Sequence, residues 1–317
     1  MNEGLTIGVD VGGTKIAAGV VDERGTLLAI TRRETPATDA ALIEAQIQDA
    51  VSELRAAHQV VAVGVAAAGF VNTTLGMVLF APNLAWRDEP LGADLQNRLA
   101  LPVTVENDAN AAAWGEFRFG AAKHVNDMVL VTVGTGLGGG IVSAGRLLRG
   151  AGGLGGELGH VRVVPDGIRC GCGNRGCWEQ YASGSALERE ARELVASGSL
   201  HAARLLELCE GDPSALHGRM VTAAANEADP AAVELLADLG RWLGEGMASM
   251  AAVLDPSAFV VGGGVVEAGD LLIEPARAAL RRNLPARGHR PDIEVQAATL
   301  GNEAGIIGAA DLARERS

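Results

Sequence analysis

The chain has 317 residues, 48% of them apolar, which suits a globular protein with a substantial core in one large domain or two ordinary ones. Its 26 basic residues against 39 acidic ones leave a net charge of −13, which disfavours nucleic acid and anionic membrane surfaces as partners. No stretch reaches the ~18 uninterrupted apolar residues of a spanning helix, and MNEGLTIGVD lacks the basic-then-apolar pattern of a secretory signal. The expected location is therefore cytoplasmic and reducing, where clustered cysteines point to metal more often than to disulfides.

Residues 5–9 form an apolar, β-prone run, followed by a Gly-Gly turn, a second run at 16–21, a turn at 22–25 and a third run at 26–31. This predicts a three-stranded antiparallel meander. Residues 38–57 place Ile43, Ile47, Ala50, Val51 and Leu54 on one helical face. A strand at 60–65 and a short helix at 91–100 follow. A strand at 103–105 then runs through Glu106-Asn107-Asp108 into a helix-prone stretch at 109–117. The same grammar restarts about 122 residues after its first appearance, with a strand at 128–133, a glycine loop at 134–140, a strand at 141–143 and a turn at Gly145. VDVGGTKIAAGVVDERGTLL and VTVGTGLGGGIVSAGRLLRG share strand, Gly/Thr loop, strand, turn and Leu-Leu, which predicts a domain-scale duplication. The remainder is predicted mostly helical, at 185–198, 201–209, 219–228, 230–254, 270–283 and 302–314, with one strand at 258–261 entering Gly262-Gly263-Gly264.

Asp10-Val11-Gly12-Gly13-Thr14-Lys15 is a candidate phosphate loop. Successive N–H groups in a glycine turn can cradle anionic oxygens, Thr14 adds a hydroxyl and Lys15 a charge. Asp10 would repel phosphate unless a cation intervenes, which suits Mg²⁺ or its waters. Thr-Lys is not the Lys-Ser/Thr order of a Walker A loop and a strand follows instead of a helix, so this is no P-loop, and an ordinary hairpin turn is the alternative. Gly134-Thr135-Gly136-Leu137-Gly138-Gly139 matches G-x-G-x-x-G, but again a strand follows, so a second phosphate hairpin fits better than a dinucleotide site. Gly263 and Gly264 suit close approach of a base or ribose, or a packing turn. Two such hairpins and a third glycine turn predict a two-domain α/β fold of the actin-like ATPase (ribonuclease H-like) class, clamping a nucleotide. The expected division is 1–108 with a C-terminal helix at about 301–317, against 109–300, which carries a metal loop at 160–177.

Asp108 stands where a strand gives way to a helix. There it is either an N-cap or a carboxylate kept ionised by the helix dipole and ready to take a hydroxyl proton, as phosphoryl transfer to a sugar requires. Asn83 either hydrogen-bonds a sugar hydroxyl or closes an Asx turn. His160, Cys170, Cys172 and Cys177 supply one imidazole and three sulfurs, a ligand set for a closed tetrahedral zinc site; the alternative is three buried thiols beside an unrelated histidine. Glu157 and Glu179 bracket the set, and either alone reads as well as a solvated carboxylate.

Taken together, VDVGGTK at 9–15, APNLAW at 81–86, ENDANAAAWGE at 106–116, GTGLGGGI at 134–141, GGELGH at 155–160, CGCGNRGCWEQ at 170–180 and VVGGGV at 260–265 resemble the ROK family (repressor, open reading frame, kinase). Within it the chain most resembles the bacterial ATP-dependent glucokinases of actinobacteria. The resemblance implies ATP-dependent phosphorylation of glucose with Mg²⁺, and Asp108 as base toward the 6-hydroxyl. Asn83, Asn107, Glu157, His160 and Glu179 would hold the other hydroxyls, loops 10–15 and 134–139 the phosphates, and Gly263-Gly264 would lie near the adenosine. Zinc would be structural and would orient His160, whose second ring nitrogen meets an outer partner. A homodimer or homotetramer is expected. N-acetylmannosamine, fructose or a polyphosphate donor are the alternatives within the chemistry. A sugar-sensing repressor is disfavoured by the charge and by the position of the first loop at residue 10. Val65–Gly69 reads VAAAG where many members carry a proline before that glycine, which leaves the role of Gly69 open, as is that of Cys209.

Overall fold

The computed structural model describes residues 4–316. The first sheet is built from β1 (Leu5–Val11), β2 (Lys15–Val21), β3 (Leu27–Glu34), β4 (Val60–Ala67) and β8 (Val103–Asn107), in the order β3-β2-β1-β4-β8. The first three strands pair antiparallel, as the alternating runs predict, whereas β4 and β8 continue the sheet in parallel. Helix α1 (Ala40–Arg55) buries the predicted stripe of Ile43, Ile47, Ala50, Val51 and Leu54, and is N-capped by Asp39. Between β4 and β8 lie β5 (Phe70–Asn72), β6 (Met77–Phe80), β7 (Arg87–Glu89) and α2 (Leu91–Leu99); α3 (Asp108–Arg118) follows β8. Strands β5–β7 make a small antiparallel sheet absent from the sequence reading, because runs of three or four residues carry too little periodicity to be seen.

The second sheet repeats the order. It consists of β9 (Met128–Val133), β10 (Leu137–Ser143), β11 (Arg146–Leu147), β12 (Ala258–Gly262) and β13 (Glu294–Ala297), arranged β11-β10-β9-β12-β13. In each sheet the first strand has a hairpin partner on one side and a crossover strand on the other. The predicted duplication and the actin-like ATPase class are thereby seen in topology. The glycine stretch at 134–140 differs from expectation: only Gly134-Thr135-Gly136 is a turn, and Gly138–Gly140 lie inside β10. Gly139 and Gly140 serve packing. A Cβ on Gly139 would come within 2.5 Å of Leu158, and one on Gly140 within 2.5 Å of Ala113. The helices of this half are α4 (Glu179–Ala182), α5 (Gly184–Ala196), α6 (Ala203–Leu208), α7 (Gly218–Asn226), α8 (Pro230–Leu254) and α9 (Asp270–Asn283); α10 (Ala304–Arg316) closes the chain.

Tertiary packing divides the chain elsewhere than at residue 108. One compact unit runs to Asn126 and takes in Gly140–Gly156 and the segment from Thr299 on; the other holds Asp127–Gly139 and Glu157–Ala298. Residues 109–126 belong to the first unit because α3 and the sheet both pack on α10 at backbone distance. A Cβ on Gly8 would sit 1.8 Å from the Ile306 carbonyl oxygen, one on Gly64 1.9 Å from that of Ala309, and one on Gly308 1.8 Å from that of Ala111. Larger residues would force the helix off the sheet. The same helix buries Asp311, which accepts from Trp114 Nε1 at 2.9 Å and pairs with Arg314; Arg314 in turn donates to Thr6 at 2.8 Å. Among the described residues no helix is long and apolar enough to cross a membrane.

Candidate functional site

In the first unit, Asp10, the penultimate residue of β1, and Asn107, the last of β8, lie on the two neighbours of β4, where they pair with Ala66 and Ala67. Parallel strand ends bring Asp10, Asn107 and Asp108 to one edge of the sheet, the edge at which α/β folds place ligands. Asn107, not Asp108, is the N-cap of α3. Its Oδ1 accepts from Asn110 N at 3.0 Å and its Nδ2 donates to the Gly69 carbonyl at 2.9 Å. These two bonds use one lone pair and one N–H of the amide, and they give Gly69 a role through its carbonyl. Asp108 is thus free of capping and opens the helix. Burial pushes its carboxyl above the usual range despite the opposing N–H groups of the helix start, so desolvation outweighs the dipole invoked from sequence. Asp10 is pushed up to about 6, chiefly by burial, next by the neighbouring Asp108 charge, with Lys15 opposing.

The Gly12–Thr14 turn is closed by Gly12 N donating to Lys15 O at 3.0 Å. Thr35, which nothing in the sequence marked, holds both sides of it: its N–H donates to Thr14 O at 3.1 Å and its hydroxyl to Gly12 O at 2.8 Å. Among the described residues the N–H groups of Gly13 and Thr14 enter no backbone hydrogen bond, which leaves two adjacent donors for an anion. Asn83 is solvent-exposed at the tip of the β6–β7 loop, and a Cβ on Gly13 would lie 3.2 Å from its Cβ. Behind Asp108, the buried Glu106 accepts from Arg149 Nε at 2.6 Å and from Asn110 Nδ2 at 3.3 Å. Arg149 was likewise missed, since its partner lies 43 positions away.

In the second unit the Gly134–Gly136 turn is tied to the start of α5, with Gly184 N donating to Gly134 O at 2.8 Å and Ser185 N to Thr135 O at 3.3 Å. Gly134, Thr135, Ser185, Arg219, Asn226 and Gly264 line a cavity of about 660 Å³, a volume suited to a nucleotide-sized ligand. Gly264 faces this space, whereas Gly263 serves packing: it has φ +88°, and a Cβ there would lie 2.4 Å from Val133 O. The helix residues Ser185, Arg219 and Asn226 carried no signal, because a helix-lined wall looks in sequence like any amphipathic helix.

The cysteine loop closes as its spacing predicts. His160 Nδ1 lies 3.7 Å from Cys170 Sγ, Cys172 Sγ lies 3.6 Å from Cys177 Sγ, and all four ligand atoms fall within 4.8 Å of one another. Tetrahedral zinc with bonds of about 2.0–2.3 Å separates its ligands by roughly 3.5–3.8 Å, so the residues fit that ion. Nδ1 faces the sulfurs, and Nε2 is left for another partner. Burial, and then the Glu179 carboxylate, push the Cys170 thiol up; burial also raises Cys177, while the Asn174 N–H lowers the more exposed Cys172. Glu179 opens α4 and accepts from Cys170 Sγ at 2.9 Å. Its other oxygen would lie 3.1 Å from a Cβ on Gly136, which brings the cysteine loop beside the second glycine turn. Glu157 is exposed just before the short 3₁₀ turn that carries His160.

The family model described as "ROK family" matches residues 6–316. This chain belongs to the ROK family. A glucokinase of Streptomyces coelicolor is 51% identical over 98% of both chains, and one of Halalkalibacterium halodurans is 36% identical over 100% of this chain and 97% of its own. A crystal structure of a ROK family glucokinase from Streptomyces griseus in complex with glucose and AMPPNP superposes with TM-score 0.88 at 52% identity, covering 98% of this chain and 100% of that one. Within this ROK chain the predicted residues divide between the units. Asp10, Gly12–Lys15, Asn83, Asn107 and Asp108 gather in the first; Gly134–Gly136, Gly264, Glu157, His160, Glu179 and the cysteines lie in the second.

Proposed function

We propose that this ROK protein is an ATP-dependent glucokinase: it transfers the γ-phosphoryl of ATP to the 6-hydroxyl of D-glucose, giving glucose 6-phosphate and ADP. The observation that carries the chemistry is the pair Asp10 and Asp108 at one sheet edge beside a glycine turn with two unused N–H donors. Asp108, with its raised proton affinity, accepts the 6-hydroxyl proton as that oxygen attacks phosphorus and the bond to the β-phosphate oxygen breaks. The ROK resemblance assigns Asn83, Asn107, Glu157, His160 and Glu179 to the remaining hydroxyls. The Gly12–Lys15 and Gly134–Gly136 turns would take phosphate oxygens, and the cavity reaching Gly264 the nucleoside.

Two metals fit the reading. Asp10 would hold Mg²⁺, directly or through water: its carboxylate accepts no hydrogen bond among the described residues, and a divalent cation would offset the charge of Asp108 nearby. Bound Mg²⁺ neutralises charge on the transferring phosphates. Zinc would be held by His160, Cys170, Cys172 and Cys177; four protein ligands leave no open position, so its contribution is to hold the loop and the His160 ring.

The test is a coupled assay over glucose, N-acetylmannosamine, fructose and mannose, with ATP and then polyphosphate as donor. Glucose with ATP is expected to give kcat/KM at least about tenfold above every other pairing. A higher kcat/KM for N-acetylmannosamine, or for polyphosphate, refutes the assignment of acceptor or donor respectively.

A further inference from the structure

Asn83 sits on a loop, and loops hold a side chain only as firmly as their own backbone is held. The β6–β7 loop, Ala81 to Trp86, is anchored by apolar plugs: Ala81, Leu84 and Trp86 are buried, while Pro82 and Asn83 face solvent. One ladder bond closes it, Ala81 N to Trp86 O at 3.3 Å. Trp86 is held by shape, since its buried Nε1 has no hydrogen-bond partner. Beyond that ladder bond, a single side chain reaches the loop's carbonyls. Arg87 Nη1 lies 2.7 Å from Ala81 O, 2.8 Å from Leu84 O and 2.6 Å from Trp86 O, and its guanidinium stacks 4.3 Å over the Phe80 ring. Three carbonyls spread over six residues thus converge on one cation at the base of the loop, with Asn83 at its tip. Phe80 in turn stacks on Phe70, so the cation is seated on the small sheet.

We propose that Arg87 is a positioning residue for sugar recognition: it fixes the Asn83 loop by gathering its carbonyls, and so sets affinity for the sugar without touching the reacting atoms. The proposal rests on the reading of Asn83 as a sugar-contacting residue. Arg87 is exposed, whereas Leu84 and Trp86 are buried, so its removal should loosen the loop without opening the core. Looseness at Asn83 lowers sugar affinity while leaving the phosphate turns and Asp108 in place. Sugar KM should rise, ATP KM should not, and kcat should change less than KM. A lysine presents three donors on a point charge, which suits three carbonyls ringing one nitrogen, so Arg87→Lys should recover most of the loss.

The experiment measures glucose and ATP KM, kcat and calorimetric glucose binding for the full chain and for Arg87→Met, Arg87→Lys and Asn83→Ala. Arg87→Met is expected to raise glucose KM about tenfold, to keep ATP KM within about twofold, and to be rescued to within about threefold of wild type by lysine. Unchanged glucose KM in Asn83→Ala overturns the reading of Asn83 itself. If Asn83→Ala is impaired but Arg87→Met keeps wild-type glucose KM, raises both KM values equally, or is not improved upon by Arg87→Lys, the role of Arg87 is overturned.

Discussion

Replacing Asp10 by asparagine isolates the energetic consequence of placing two carboxylates at one sheet edge. Burial and Asp108 raise the Asp10 pKa from 3.8 to about 6, so the folded state binds this proton more tightly than the unfolded chain does. Ionising Asp10 therefore costs stability, and the cost begins near pH 4, grows as pH rises through about 6 and then levels. From these two pKa values the cost is about 1.6 kcal/mol at pH 5 and about 3 kcal/mol at pH 8. Asparagine keeps the shape and removes the charge. Asp10→Asn should thus be more stable than wild type by amounts approaching these figures, with the gain widening from pH 5 to pH 8, and it should lose most of its kcat because Mg²⁺ loses its ligand. Urea unfolding followed by circular dichroism, without nucleotide or divalent cation, reads the difference; carboxylates remote from Asp10 titrate alike in both proteins and cancel, while Asp108, which is coupled to Asp10, contributes to it. A gain independent of pH, or an Asp10→Asn variant less stable than wild type at pH 8, refutes the electrostatic account of this edge.

Asp108→Asn should lower kcat by roughly 10²–10⁴-fold while calorimetric glucose affinity stays within about tenfold; near-normal turnover removes Asp108 as the base. Cys177→Ser should abolish stoichiometric zinc in elemental analysis and raise glucose KM more than ATP KM, since His160 and Glu179 lose their frame; full zinc occupancy contradicts the ligand set. Glu106→Gln and Arg149→Met each leave one member of a pair with side chains 2% and 24% exposed without its partner, and each should cost roughly 3–5 kcal/mol. The double variant should recover at least about 2 kcal/mol of the summed loss; additive losses in thermal unfolding show that the pair is not coupled.

Much of this protein was readable because its signals are local. The α1 stripe of Ile43, Ile47, Ala50, Val51 and Leu54 repeats at helical spacing, and the β1–β3 meander alternates between turns. Each hairpin carries its Gly/Thr turn within a few residues, so the duplication could be seen by comparing two windows. The Cys/His cluster was legible for the same reason, with three cysteines within eight residues and a histidine ten positions upstream. Other features were misread where the decisive neighbour is distant. Gly138–Gly140 resembled a loop because glycine is permissive, but Leu158 and Ala113 are what exclude a side chain at Gly139 and Gly140. For Asp108 a cap stood as the alternative to a base; the cap is Asn107, which also reaches Gly69, 38 residues earlier.

Residue identities and short spacings determined the family resemblance, the two candidate phosphate turns, the candidate base and the candidate metal ligands, because hydrogen-bonding capacity, charge and ligand softness travel with the side chain. Only the tertiary structure decided where the chain divides, how strongly Asp10 holds its proton, and which residues lie behind the named ones: Thr35 under the first turn, Arg149 on Glu106, Arg87 under Asn83. Desolvation and backbone-distance packing, as of α10 on Gly8 and Gly64, depend on what the rest of the chain brings alongside, and no window of sequence contains that.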